Sequence, residues 1–225
     1  MKTTVIAIDG PTASGKGAVA QAVAQQLGFI YLDSGALYRL IALQALRNGI
    51  VQEQPLTEAH RHQLSDWATD LDVLFEGDQI VCAGENVTDL IRDEKVGNMA
   101  SKIAVVGELR DALLHRQRDF AQTPGLVADG RDMGSVVFPQ AQTKIFLTAS
   151  SQVRAERRYK QLIGKGFSAN MHDLVADLNE RDERDSKRTH APLKPAQDAF
   201  VLDSTDLTLE STVEKVLQYH RSTSV

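Results

Sequence analysis

The stretch that most constrains the fold of this chain extends from Val5 to Gly17 and has the sequence V-I-A-I-D-G-P-T-A-S-G-K-G. Its first part is short, apolar and rich in β-branched residues, which predicts a buried strand. A loop of small residues follows and ends at Lys16, and apolar residues then recur at helical spacing as far as Gly28. A strand, a glycine loop and a helix in this order are the context that a phosphate-binding loop requires.

The loop is expected to bind the phosphates of a nucleoside triphosphate. Gly10 and Gly15 allow the backbone to wrap with its N–H groups pointing inward, and the helix N-terminus adds a positive partial charge. Lys16 adds a full positive charge to the same place. The residues predicted to bind the donor nucleotide are Gly10, Pro11, Thr12, Ala13, Ser14, Gly15, Lys16, Gly17 and Ala18.

The loop departs from its commonest form directly after the lysine. Gly17 and Ala18 follow Lys16, so the hydroxyl that usually contacts Mg²⁺ at this position is absent. Thr12 and Ser14 are hydroxyls within the loop, and the sequence leaves open whether either of them faces the metal. Mg²⁺ often binds mainly phosphates and water, and this is the arrangement expected here.

Length and composition favour a globular enzyme. The chain has 225 residues, 42% of them hydrophobic and 24% charged, which can bury a substantial core in a single domain. A net charge of -5 argues against a nucleic-acid polymer as partner, and no apolar run approaches membrane-spanning length. The single cysteine, Cys82, excludes an intramolecular disulfide, so the cytoplasm is the expected location.

Four further apolar runs complete a predicted five-stranded α/β core over about residues 1–50 and 121–225, at residues 29–33, 126–129, 144–148 and 199–203. Asp9, Asp33 and Asp129 end three of the five runs, and the carboxyl ends of parallel strands share one edge of a sheet. The three carboxylates are therefore expected to surround one crevice, as suits a hydrated Mg²⁺, with Asp33 and Asp129 as water-mediated ligands.

Between about residues 51 and 120 the pattern changes. A short helix capped by Thr57, a hairpin with its turn at Glu76-Gly77-Asp78, and two helices are predicted there, without a strand of parallel-sheet character. We interpret this segment as an insertion into the core that holds a second substrate. Ser101 and Arg110 are its polar candidates, although each taken alone would more often be a surface residue.

Residues of about 154–170 are predicted to form a short helical lid. Arg154 and Arg158 lie four positions apart and share one helix face, and Gly164-Lys165-Gly166 breaks the helix. The next helix places Arg181, Asp185 and Arg188 along one side. For this last run the alternative is an exposed face of salt bridges, which is common in such sequences.

Four motifs resemble those of the bacterial cytidylate kinases, and the match covers essentially the whole chain in order and spacing. They are I-D-G-P-T-A-S-G-K-G, L-D-S-G-A-L-Y-R, A-D-G-R-D-M-G, and R-D-E-R-D-S-K-R before A-P-L. The resemblance implies a P-loop kinase fold with helices on both faces of a five-stranded parallel sheet, a nucleotide-binding insertion and a lid. It also implies transfer of the ATP γ-phosphoryl group to CMP or dCMP, with Mg²⁺.

The resemblance assigns roles to individual residues of this chain. The residues whose family equivalents surround the cytidine are Ser34, Ser101, Arg110, Asp132 and Arg188. Those whose equivalents serve the phosphate and the sugar are Arg39, Arg131, Arg181 and Asp185. Phosphoryl transfer depends on charge neutralisation and positioning, so the predicted catalytic residues are Lys16, Arg131, Arg154 and Arg158.

One position departs from the family, because Ala18 replaces the threonine of its usual G-K-G-T. Two alternatives also remain. Another P-loop small-molecule kinase, of the adenylate or shikimate type, would keep the loop and the lid but lack the set formed by Ser101, Arg110 and Asp132. An ATP-binding switch module would hydrolyse ATP slowly and need no acceptor. The enzyme is expected to be a monomer.

Overall fold

The computed structural model describes residues 3–50, 55–76, 79–164, 166 and 168–223. No helix within these ranges is both long and apolar enough to cross a membrane. The helices and strands are, in chain order, β1 (Val5–Asp9), α1 (Lys16–Leu27), β2 (Ile30–Asp33), α2 (Ser34–Arg47), α3 (Glu58–Thr69), β3 (Val73–Glu76), β4 (Gln79–Cys82), β5 (Glu85–Asn86), α4 (Glu94–Ile103), α5 (Gly107–Asp119), β6 (Leu126–Gly130), β7 (Thr143–Thr148), α6 (Ser151–Gly164), α7 (Met171–Ser186), β8 (Phe200–Asp203) and α8 (Leu209–Thr223).

The chain divides into two compact units, and the first comprises Met1–Asp33 and Phe120–Val225. Its sheet has the strand order β2-β6-β1-β7-β8, and every neighbouring pair is parallel. This confirms the predicted five-stranded parallel core. Since β1 lies between β6 and β7, the loop after β1 and the segment after β6 leave the same edge of the sheet.

The apolar patterns explain the core of this unit. Every residue of β1 and β6 is buried, as expected for parallel strands covered on both faces. One cluster joins Ile6 and Ile8 to Val19 and Val23 of α1 and Val216 of α8. Burying such side chains contributes about 1.5–3 kcal/mol each, so this cluster fixes β1 and the start of α1 firmly.

The second unit is Ser34–Asp119. In it α2 packs against α3 and α4, and α3 packs against α5. The predicted hairpin is present as the antiparallel pair β3 and β4, and the predicted turn residues Gly77 and Asp78 lie outside the described residues. The sequence missed β5, because a strand of two residues is too short to show alternation.

The boundaries of this unit differ from those of the predicted insertion. The unit begins at Ser34 and not at about residue 51, because the packing of α2 on α3 and α4 joins this helix to them. Residues 51–54, where the insertion was predicted to begin, lie outside the described residues. At the other end the prediction of about residue 120 lies next to the observed Asp119.

Helices α6 and α7 form the predicted helical hairpin and pack against each other. Lys165 of the predicted break lies outside the described residues, and Gly166 has a φ of 81°, which favours glycine. Asn170 caps α7 by accepting a hydrogen bond from the backbone N–H of His172. Arg181 and Asp185 lie on α7, whereas Arg188 follows its last residue.

Candidate active site

The glycine loop passes very close to β7. A Cβ at Gly10 would lie 2.0 Å from the carbonyl oxygen of Leu147, so only glycine fits at this position. Gly15 ends the loop with a φ of 90° and is the N-cap of α1. Ala13 also has a positive φ, 60°, which is uncommon for a residue with a side chain. The backbone of the loop is therefore shaped for a purpose other than compact packing.

Lys16 is the first residue of α1 and is buried. Its Nζ donates a hydrogen bond of 3.2 Å to the carbonyl oxygen of Pro11. Burial, together with the positive charge of Arg131, lowers the pKa of Lys16 to about 8. The negative charges of Asp129 and Asp33 oppose this change. A polyanion bound in the loop would stabilise the charged lysine, which the surrounding protein stabilises only in part.

Asp129 lies beside this lysine, and β-sheet register places it next to Asp33. Its Oδ2 accepts a hydrogen bond of 3.4 Å from the Tyr31 hydroxyl, whereas its buried Oδ1 has no hydrogen-bond partner among the described residues. Burial raises the pKa of Asp129 to about 6, and Lys16 opposes this rise. A buried carboxylate oxygen without a partner fits a water-mediated Mg²⁺ ligand, since carboxylate and water are ligands that this ion prefers.

The structure also explains the glycine that follows Lys16. A Cβ at Gly17 would lie 3.1 Å from Oδ2 of Asp129 and 3.7 Å from the hydroxyl oxygen of Tyr31. A serine or threonine at this position would press on the Asp129 carboxylate. The loop therefore replaces the usual hydroxyl with space for a buried aspartate, and Ala18, the next residue, is exposed on the first turn of α1.

Asp9, which was predicted to be a third carboxylate around the metal, has two backbone partners. Its Oδ1 accepts a hydrogen bond of 2.7 Å from the Met133 N–H, and its Oδ2 accepts one of 2.8 Å from the Gly134 N–H. Burial raises the pKa of Asp9 to about 7. Among the described residues no three His, Cys, Asp or Glu side chains form a metal-binding group. Asp9 instead connects the end of β1 to the segment after β6.

That segment carries Arg131 and Asp132. Arg131 donates a hydrogen bond of 2.9 Å from Nε to Oδ2 of Asp185 and one of 2.8 Å from Nη2 to the Thr12 hydroxyl. Burial would lower the pKa of Arg131, but the Asp185 carboxylate outweighs it and raises that pKa. Arg188 bonds the other oxygen of Asp185. The structure thus brings together four predicted residues, Thr12, Arg131, Asp185 and Arg188, in the first unit.

Two further predicted residues belong to the same surroundings. The side chain of Asp132 is buried directly before a π-helical turn, Met133–Val137, whose backbone Asp9 holds. Arg181 lies close enough for its charge to lower the pKa values of both Lys16 and Asp185. For Asp185, burial opposes this effect, and Arg131 is the strongest of the arginines that outweigh burial.

The arginines of α6 differ from one another. Arg154 is buried and bonds the carbonyl oxygen of Thr12 at 3.1 Å and the Asp182 carboxylate at 2.7 Å. Arg158 bonds Gln161 of its own helix at 2.9 Å. Arg157, to which the sequence analysis gave no role, bonds the carbonyl oxygen of Ser14 at 2.9 Å. Its spacing of three residues from Arg154 would have been a signal, since such residues are neighbours on a helix.

The second unit holds the other predicted residues, beginning with two arginines. Arg39 donates a hydrogen bond of 2.8 Å to the carbonyl oxygen of Ile91, and its guanidinium lies against Gly97, where a Cβ would approach to 2.9 Å. Arg110 donates one of 3.1 Å to the carbonyl oxygen of Ala104. Its guanidinium carbon also lies 5.8 Å from the centre of the Tyr38 ring, within range of a cation–π interaction.

Two buried serines complete this unit's predicted set. Ser34 begins α2, and its hydroxyl accepts a hydrogen bond of 2.8 Å from Nε2 of Gln117. Within the ranges that the structure describes, the buried Oγ of Ser101 has no hydrogen-bond partner, so it has capacity to bind a ligand. Gln117 was missed, although it continues the spacing of Leu109 and Leu113 on the buried face of α5. A polar residue at an apolar position was the available signal.

Comparisons with known proteins agree over nearly the whole chain. The family model described as Cytidylate kinase matches residues 6–222. The protein named Cytidylate kinase of Ralstonia pickettii is 56% identical over 221 residues, which cover 98% of this chain and 93% of that one. The protein named Cytidylate kinase of Bordetella bronchiseptica is 56% identical over 219 residues, which cover 97% of this chain and 95% of that one.

Among solved structures, an uncharacterized protein from Eubacterium ventriosum matches with a TM-score of 0.52 and 11% sequence identity. The match covers 98% of this chain and 99% of that one. At this identity the likeness concerns the fold alone.

Proposed function

Because this chain belongs to the cytidylate kinase family, we propose that it transfers the γ-phosphoryl group of ATP to CMP or dCMP, giving ADP and CDP or dCDP. The observation that carries the proposal is the convergence of buried Lys16 and partly buried Arg131 on one glycine loop, where Arg131 bonds Thr12 at 2.8 Å. Two cations beside backbone N–H groups, one buried and one partly buried, suit a highly charged phosphate chain.

The donor triphosphate would occupy the loop of residues 10–18. Its charge is stabilised by Lys16, by the N-terminus of α1 and by the N–H groups of the loop. Mg²⁺, when bound, neutralises charge on the phosphates, and Asp129 and Asp33 would hold it through water. The burial of Lys16 strengthens its interaction with phosphate, because screening by water is weak there.

Charged side chains are proposed to bind the acceptor. In the first unit Arg131, Arg181 and Asp185 are proposed to serve the phosphate and the sugar, as in the family. In the second unit Arg39 is proposed to serve the phosphate. Arginine suits these positions because its planar fork binds phosphate oxygens in pairs and stays charged. Arg154 and Arg158 of α6 are proposed to act on the transferring phosphoryl group.

The choice of cytosine over uracil is proposed to depend on hydrogen bonds between protein side chains and the base. The proposed cytidine contacts are Asp132 and Arg188 of the first unit and Ser34, Ser101 and Arg110 of the second. A carboxylate such as Asp132 accepts from the amino group of cytosine but would face a carbonyl oxygen of uracil. Because Asp132 is buried, water could not readily replace the hydrogen bond that uracil fails to make, which makes discrimination strong.

A coupled assay of ADP release tests the proposal, with CMP, dCMP, UMP, AMP or no acceptor. We expect rapid release with CMP or dCMP and little with UMP, AMP or no acceptor. Release with AMP alone would support a kinase of the adenylate type, and slow release that no acceptor stimulates would support an ATP-binding switch. The variant Lys16→Ala, purified identically, is the control for contaminating kinases.

The cytoplasm, where ATP and nucleoside monophosphates meet, is the proposed location, and the single cysteine agrees with a reducing compartment. The proposed active form is the monomer. Light scattering during size-exclusion chromatography would test this, and a mass of twice the chain would contradict it.

A further inference from the structure

Helix α6 directs two guanidinium groups to the backbone of the phosphate loop. Arg154 donates from Nη1 to the carbonyl oxygen of Thr12 at 3.1 Å, and Arg157 donates from Nη1 to the carbonyl oxygen of Ser14 at 2.9 Å. Both contacts join residues more than a hundred positions apart. Neither guanidinium bonds a loop side chain here. Within the loop they bond the carbonyl oxygens of Thr12 and Ser14, which are two residues apart.

Arg157 is also anchored to the end of the sheet. Its Nη2 donates to the carbonyl oxygen of Ser204 at 2.7 Å, and its Nη1 donates to the Ser204 hydroxyl oxygen at 3.1 Å. Ser204 follows β8, and its N–H and hydroxyl donate to the carbonyl oxygen of Thr148 at 2.8 Å and 3.0 Å. One planar side chain thus connects a rigid strand end to the loop.

A held carbonyl fixes the direction of the next N–H. In a trans peptide the C=O and the N–H of the following residue lie in one plane and point to opposite sides. Because Arg157 holds the Ser14 carbonyl, the Gly15 N–H points away from α6. Gly15, whose φ is 90°, could otherwise rotate easily, since glycine tolerates many backbone conformations.

We propose that Arg157 is a positioning residue that holds the Ser14–Gly15 peptide with its N–H directed at the donor phosphates. This rests on the proposed function, because the loop must bind ATP. Arg157 acts through the backbone and does not contact the reacting atoms. Without it the peptide could turn its carbonyl oxygen toward the phosphates and repel them, while the acceptor nucleotide would bind as before.

The first test compares Arg157→Met with wild type. We expect the Kd of MgATP to rise about 10- to 100-fold, the range that charged hydrogen bonds give, and the KM for CMP to change less than about twofold. The Kd of MgATP for Arg157→Lys should lie between those of wild type and Arg157→Met, because a lysine in this place can hold one of the two carbonyl groups but not both. The matched control is Lys160→Met, which removes a positive charge from an exposed position of the same helix.

The second test observes the peptide itself. In protein labelled with ¹⁵N-glycine, the Gly15 amide proton should shift downfield when MgADP binds to wild type and should shift much less in Arg157→Met. Ser204→Ala removes a hydroxyl that anchors the guanidinium and also donates to the Ser14 carbonyl oxygen at 3.4 Å, so it should weaken MgATP about two- to tenfold and reduce the same shift.

The outcomes separate the proposals. If wild type does not phosphorylate CMP, the proposed function fails. If wild type is active but Arg157→Met binds MgATP as tightly as wild type does, the positioning role fails. It also fails if the substitution weakens CMP binding as much as it weakens MgATP binding. If Arg157→Met weakens MgATP while Ser204→Ala leaves both MgATP binding and the Gly15 shift unchanged, Arg157 contacts the phosphates directly. Should Arg157→Met not fold, Arg157→Lys and Ser204→Ala decide.

Discussion

The two ends of the five-stranded sheet bury polar groups in opposite ways. At the carboxyl end Lys16 and Asp129 are buried ionic groups, and within the part of the chain that the structure describes one oxygen of the Asp129 carboxylate has no hydrogen-bond partner. At the amino end of β7, where buried Lys144 pairs with Asp198, a second group of buried polar side chains is neutral. There the Thr143 hydroxyl lies 2.8 Å from Nδ1 of His220 and 2.8 Å from the Thr223 hydroxyl.

The difference separates function from stability. A buried charge costs free energy unless it is well paired, so ionic groups with unused hydrogen-bonding capacity indicate a site that a ligand completes. The neutral cluster is satisfied by its own members and needs no ligand. Changes at the carboxyl end should therefore alter catalysis with little effect on folding, and changes at the amino end should do the reverse.

The largest effect is expected from removing the charge of Lys16 at the carboxyl end of the sheet. Lys16→Ala should lower kcat by at least about 10²–10³-fold, since it removes a preorganised charge from the transferring phosphates. The melting temperature should stay near that of wild type, because burial already destabilises the charged lysine, as its pKa of about 8 shows. Steady-state kinetics and calorimetry measure the two. Near-normal kcat in a folded variant would contradict the loop assignment.

Asp132→Ala should change base choice at the same end. We expect the KM for CMP to rise about 10- to 100-fold and the preference over UMP to narrow, because a charged hydrogen bond is lost in a buried place. The KM for ATP should remain unchanged. Asp177→Ala, at an exposed position of α7, is the matched control. A loss of ATP affinity instead would assign Asp132 to the donor.

His220, in the neutral cluster at the amino end of β7, should make the stability of the protein depend on pH. Burial, with a smaller effect of Arg221, lowers the pKa of His220, so the unfolded chain binds the proton more readily than the folded one. The contribution of His220 to the free energy of unfolding should therefore fall as the pH decreases below about 6.5, the ordinary pKa of histidine, whereas the raised pKa values of Asp9 and Asp129 act in the opposite direction.

His220→Gln should flatten this dependence and lower stability at pH 7.5 by about 0.5–1.5 kcal/mol, with kcat unchanged. Urea unfolding between pH 5 and 7.5 measures both effects. The control is His172→Gln, because the His172 side chain is 92% exposed. Equal slopes in wild type and His220→Gln would show that another group is responsible.

The smallest expected effect sharpens the comparison by adding a hydroxyl to the charged end. Ala18 is exposed on the first turn of α1, so Ala18→Thr meets little steric hindrance and costs little helix propensity. One added neutral hydrogen bond should tighten MgATP about two- to tenfold. Titration of both proteins with MgATP measures this. An unchanged or weaker affinity would mean that groups already present, such as the Ser14 hydroxyl, provide the contact.

Much of the fold could be predicted because its cause is local. The five apolar runs have the length and β-branched content of buried strands, and their parallel pairing in one sheet is confirmed. Gly15 and Gly28, the predicted turn and cap of α1, both have positive φ. The ends of helices and strands could be predicted less well than their presence. An example is α2, whose first residue is Ser34.

Side-chain partners could not be predicted in this way. Asp9 ends an apolar run as Asp33 and Asp129 do, but only the folded chain brings it to backbone N–H groups 124 and 125 positions away. Three arginines lie within five residues of α6, and spacing alone does not show that Arg157 reaches Ser14. Likewise, nothing near Ser34 in the sequence indicates Gln117.

The sequence by itself determined the glycine loop, the parallel core and the family, because strand length, glycine position and motif order depend on neighbouring residues. The tertiary structure decided which charges meet: Arg131 with Thr12 and Asp185, Arg157 with Ser14 and Ser204, and Asp9 with the turn after β6. The physical reason is distance along the chain. Hydrogen bonds act over about 3 Å, and only folding brings groups so far apart in sequence to that separation.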